Sequence, residues 1–151
     1  MPTFRFRLTP VLHLRENARD ERRAALAEAM RAEEVLAEQM AEKRVQIVTL
    51  GGELAKERAI GEINVERMIQ GQRYQAILRA ELAMLGEQAK RVTAEVERRR
   101  ELLVAADRDV RVLEQLREKQ LERFVMEEAR REIKFLDDVA GQRAATREWP
   151  A

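Results

Sequence analysis

A chain of 151 residues fits one domain, yet with 38% of its residues charged and only 4% aromatic it lacks the material of a globular core. An apolar share of 45% excludes a disordered polymer, and 29 basic against 28 acidic residues, a net charge of +1, do not imply bulk attraction to nucleic acid or anionic lipid. There is no cysteine, so disulfides and thiolate ligands are excluded and a reducing, cytoplasmic setting is expected.

The first twenty residues break their apolar positions with Arg5, Arg7, His13 and Arg15, so no secretory leader is expected there. No stretch approaches the roughly 20 apolar residues that a bilayer span needs. Proline, which breaks helix interiors, occurs only at Pro2, Pro10 and Pro150, leaving a long proline-free interval for helix. Alternating steps of three and four from Leu26 meet Ala29, Glu33, Leu36, Met40, Lys43, Ile47, Leu50 and Leu54, a coiled-coil seam with two charged interruptions. Before it, Leu8, Val11, Leu12, Leu14 and Ala18 form a broader apolar face. A first helix is expected over about residues 4–58.

Four of the six glycines fall between Gly51 and Gly71, which places a bend or short helix at about residues 59–74. The sharpest turn is expected near Ala59 to Glu62, and Ile60, Ile63, Met68 and Ile69 allow a short helix between Gly61 and Gly71. A second helix follows over about residues 75–143, with a tail at 144–151. Its seam runs through Leu78, Leu82, Leu85, Ala89, Val92, Val96, Arg99, Leu103, Ala106, Val110 and Leu113. Beyond that point Leu116, Leu121, Phe124, Val125, Ile133, Leu136 and Ala140 follow a shifted register, the mark of a stutter or a wider apolar face. Glu87–Arg91, Glu95–Arg99, Asp107–Arg111 and Glu127–Arg131 are acid-first pairs at helical spacing, each adding ~0.2–0.5 kcal/mol. The expected fold is therefore all-α: one coiled-coil domain over residues 1–151, a long antiparallel two-helix hairpin. The charged seam positions Glu33, Lys43 and Arg99 serve either to fix its register or to reject self-association.

Residues for catalysis are sparse. His13 and Glu16 stand three apart, but a metal needs three or four converging ligands, so neither metal nor cofactor is expected. Gly51-Gly52 is followed by Glu53, which opposes a phosphate, and a two-helix hairpin encloses no cleft for paired carboxylates. The chain is not expected to be an enzyme. Arg98-Arg99-Arg100 and the cluster Arg15, Arg19, Arg22 and Arg23 are interleaved with acids, as on a solvated coiled-coil face. Phe4, Phe6, Phe124, Val125, Phe135 and Trp149 have no place in a two-helix seam and either plug the open end of the hairpin or form a docking patch.

The opening Phe4-Arg5-Phe6-Arg7-Leu8, continued by Val11-Leu12-His13-Leu14-Arg15-Glu16, resembles the F-x-F-x-L-x-x-V-L start of the flagellar export protein family FliJ. Val112-Leu113-Glu114-Gln115-Leu116-Arg117-Glu118-Lys119 is similar to that family's L-E-x-L-[KR]-E-[KR] segment, and Glu132 with Phe135-Leu136-Asp137-Asp138-Val139-Ala140 to its ending. The middle of the chain carries no such match. The resemblance implies an antiparallel coiled coil like the central stalk of rotary ATPases. It further implies a non-enzymatic adaptor of type III export that binds the hexameric export ATPase and the cytoplasmic domain of the large export-gate membrane protein, and escorts export chaperones. On that reading the protein sits in the cytoplasm, peripheral to the inner face of the membrane through its partners alone. Phe4, Phe6, Leu8, Leu113, Leu116 and Asp137 then form the ATPase end, with the middle facing the gate.

Three other readings share the composition. The stalk protein of a virulence injectisome has the same shape, although the F-x-F opening favours the flagellar system. A nucleic-acid or ribosome-associated coiled coil would use the arginine clusters and bind with steep salt dependence. A prefoldin-like holdase needs exposed apolar helix tips, for which Trp149 alone is insufficient.

Overall fold

A computed structural model describes residues 2–147 and shows two helices, α1 (Thr9–Ala59) and α2 (Val65–Arg147), packed antiparallel as a helical hairpin. The all-α hairpin expected from the seams is the observed fold. Contacts divide the chain into two compact units, Met1–Arg19 with Ala106–Ala151 and Asp20–Ala105.

The ends of both helices follow from local chemistry. Pro10 has no N–H and is tolerated only in a first turn, so α1 begins at Thr9 and not at Phe4. The Thr9 hydroxyl donates to the Phe6 carbonyl at 2.7 Å, tying the incoming segment to the helix start. At the other end Lys56 and Arg58 lie in the last turn, where cations favour the carbonyl end of the macrodipole. Gly61 then takes φ +80°, the left-handed step that ends many helices. The Asn64 side chain accepts a hydrogen bond from the Arg67 amide at 3.2 Å and caps α2.

The connection between helices is thus residues 60–64, shorter than the expected 59–74, and no third helix intervenes. The glycines account for the difference. Gly51 and Gly71 lie inside α1 and α2, where the helices approach closely: a Cβ on Gly71 would come 2.6 Å from Leu54 Cδ2, and one on Gly51 3.3 Å from the Gln75 amide nitrogen. They mark contact and not a bend. At its far end α2 continues to Arg147, past the expected 143. Glu148, Trp149, Pro150 and Ala151 lie outside the described residues.

Within unit Asp20–Ala105 the two seams meet as the sequence pattern requires. Every seam position from Leu26 to Leu54 and from Leu78 to Leu103 is buried or half-buried, with Leu78 only 1% exposed. In the other unit Phe6, Leu12 and Val110 form the buried core, with Phe4 and Leu113 packed against it.

Candidate partner-binding site

The N-terminal segment does not extend α1 but folds along α2. Phe4 lies against Phe124, ring centroids 5.8 Å apart at 50°, and Phe6 is buried beside Leu12 and Val110. The aromatic residues therefore divide: Phe4, Phe6 and Phe124 plug the hairpin, whereas Val125 and Phe135 are exposed. Trp149 lies outside the described residues. The broad apolar face of the first helix also divides, since Leu12 is buried but Leu8, Val11 and Leu14 remain exposed.

The six residues singled out in sequence all fall in the unit Met1–Arg19 with Ala106–Ala151, but at different depths. Phe6 is buried, Phe4 and Leu113 are half-buried, and Leu8, Leu116 and Asp137 face solvent. A groove of about 610 Å³ runs between Phe4, Phe6, Thr9, His13, Glu16 and Arg117, edged by both charge signs. There His13 Nδ1 stands 3.3 Å from Glu16 Oε2. No third ligand joins them, and no group of three or more metal-ligating side chains occurs among the described residues. Arg15 of α1 reaches Asp109 of α2 at 3.4 Å in the same unit.

In unit Asp20–Ala105 each charged interruption of the seam meets a polar partner across the interface. Thr93 donates to Glu33 at 2.9 Å, Lys43 pairs with Glu81 at 2.6 Å, and Arg99 donates to the Ala25 carbonyl at 2.6 Å. Ala25 and Lys43 on α1 stand eighteen positions apart, as do Arg99 and Glu81 on α2, so one register satisfies both of these contacts. Hydrogen bonding to Glu81 is the chief reason that the Lys43 ammonium is held above its usual pKa. Sequence reading found the charged positions but not their partners, because Thr93 and a main-chain carbonyl leave no pattern.

The run Arg98-Arg99-Arg100 is paired along α2. Arg98 and Arg99 both donate to Glu95, and Arg100 pairs with Glu97. Of the pairs expected along α2, Glu95–Arg99 and Asp107–Arg111 form. Glu87 instead takes Lys90, and Arg131 takes Glu128, both at i,i+3, because three-residue spacing also shares a helix face. Ile60, Ile63, Val65 and Ile69 leave an apolar surface at the connection. No helix among the described residues is long and apolar enough to cross a membrane.

Two helices joined by a five-residue connection, with a polar-locked seam and an aromatic latch, define an α-helical hairpin of the coiled-coil class. Over residues 4–148 the sequence matches the family model described as flagellar FliJ protein. The chain belongs to the FliJ family and is related to flagellar export. No curated protein and no solved structure matches it.

Proposed function

We propose that this chain is a non-enzymatic stalk and adaptor of the flagellar export apparatus. It joins the hexameric export ATPase to the cytoplasmic domain of the large export-gate membrane protein and escorts export chaperones. Through those partners it is held at the inner face of the membrane. The observation that carries the reading is the aromatic latch. Phe6, Leu12 and Val110 pack together and hold the segment around Phe4 and Phe6 onto α2, while Leu8, Leu116 and Asp137 stay on the surface of the same unit. In this reading Phe4, Phe6 and Leu113 hold the surface in shape, and the exposed three contact the ATPase. Membership in a flagellar family favours the flagellar system over an injectisome. The internal pairing of Arg98, Arg99 and Arg100 weighs against a nucleic-acid partner.

The test is a binding measurement with purified export ATPase. The double variant Leu8→Asp with Leu116→Asp alters two exposed positions and leaves the buried core intact. It is expected to weaken association at least about tenfold, the usual scale for losing apolar anchors, with unchanged helix content. Binding equal to that of the natural sequence overturns the assignment.

A further inference from the structure

The register shift near Leu116 has a structural counterpart. Around Phe124 the N-terminal segment lies along α2: Thr3, Phe4 and Arg5 share a groove with Gln120, Arg123, Phe124 and Glu127. Pro2 shares the next with Phe124, Glu128 and Phe135. A second apolar row lies elsewhere on the helix. Met126, Ala129, Ile133, Leu136 and Ala140 recur in strict steps of three and four, and all five are exposed, Met126 and Ile133 each at 60% and Leu136 at 58%. Met126 is two residues beyond Phe124, about 200° around the helix, so this row points away from the latch. Continued backwards, the same steps meet Glu122, Lys119 and Gln115. The row is thus a separate seam that begins at Met126, and none of the described residues covers it.

We infer that this seam pairs with a second copy of the chain, antiparallel, through residues 126–143. The flanking charges select the occupant and its direction. With Met126 and Ala129 at the core positions a and d, Arg130 and Asp137 both fall at position e. In an antiparallel pair centred between Ile133 and Leu136, each Ile133 meets the other copy's Leu136 and each Ala129 the other's Ala140. Met126 packs on the aliphatic stem of Arg143. Arg130 then faces Asp137 twice, once on each side of the two-fold axis. A parallel pair would instead set Glu132 against Asp137, two like charges. Neither Arg130 nor Asp137 has an ion-pair partner among the described residues, and at seven residues apart they do not serve each other within one helix. An overlap of eighteen residues is ~27 Å long and lies in the small-interface range, below about 1,200 Å². A reversible dimer at micromolar concentrations or above is the consequence.

Sedimentation equilibrium of the isolated full chain tests this, with helix content checked by circular dichroism. The weight-average mass is expected to rise with concentration from 17.6 kDa towards twice that value. Arg130→Asp and Asp137→Arg should each weaken association about tenfold or more, because each creates two facing like-charge pairs. The double variant should return to within about threefold of the natural chain, a rescue that only contact between those two positions produces. Ile133→Asp should leave a monomer with unchanged helix content. A mass that stays at 17.6 kDa up to about 1 mM overturns the proposal and leaves the seam to a helix of another protein. Tighter association of Asp137→Arg overturns it in favour of a parallel pair, and single variants without effect overturn it outright.

Discussion

Glu95 accepts hydrogen bonds from Arg98 and from Arg99, in that order of importance, and its carboxyl is held down to about 2, far below the usual carboxylate value of 4.5. A carboxyl whose folded pKa lies below its unfolded one favours the fold while it is ionised. Its contribution is therefore complete above about 4.5 and lost as pH falls from there to about 2. A side-chain NMR titration should place the Glu95 midpoint in the lower part of that window, and Arg98→Gln with Arg99→Gln should move it back towards the ordinary range. Glycine shows the same dependence on place. Gly52 lies within α1 with nothing within 4 Å of a built Cβ, so Gly52→Ala should stabilise by about 0.5–1 kcal/mol in urea unfolding. Gly61 also has open space, but its φ of +80° strains any L side chain, and Gly61→Ala should cost about 1 kcal/mol by the same measurement. Opposite signs from one substitution separate a tolerated glycine from a required one.

At the scale of the helix, what α2 contributes changes along its length. Leu78 is fully buried against α1, and Leu78→Ala should cost about 3 kcal/mol through lost burial and the cavity left behind. Leu136 is the same residue on the same helix but faces solvent. Its replacement by Ala should change unfolding by no more than about 0.5 kcal/mol at concentrations well below the micromolar range, where chains are separate. Equal losses at the two positions would mean that the second seam is already packed within one chain. The seam of unit Asp20–Ala105 was fully legible in sequence, because a strict heptad admits one buried stripe. The first helical turn was misplaced in sequence because the helix was carried back past the apolar face of Leu8, Val11 and Leu12 to Phe4, whereas Pro10 is tolerated only in a first turn. The connection was placed too broadly because glycine is equally at home in a bend and at a close helix crossing, and spacing does not tell the two apart.

For the molecule as a whole, the near balance of 29 basic and 28 acidic residues has a structural use. Part of the charge pairs along each helix or across the seam, and apolar residues also reach the surface: Leu8 and Leu116 near the latch, the isoleucines of the connection, and the row from Met126 to Ala140. A dimer through that row covers Asp137, so self-association and any partner that uses Asp137 compete for one face. The sequence by itself determined the helical hairpin, its seam and its family likeness, because periodicity, proline placement and short motifs are local properties that every turn of helix repeats. Only the tertiary structure decided which apolar residues are core and which are surface. Phe6 and Phe135 are alike as letters, yet one is sealed beside Val110 and the other stands 65% exposed. The difference arises from where the N-terminal segment lies on α2, and that placement depends on residues more than a hundred positions apart.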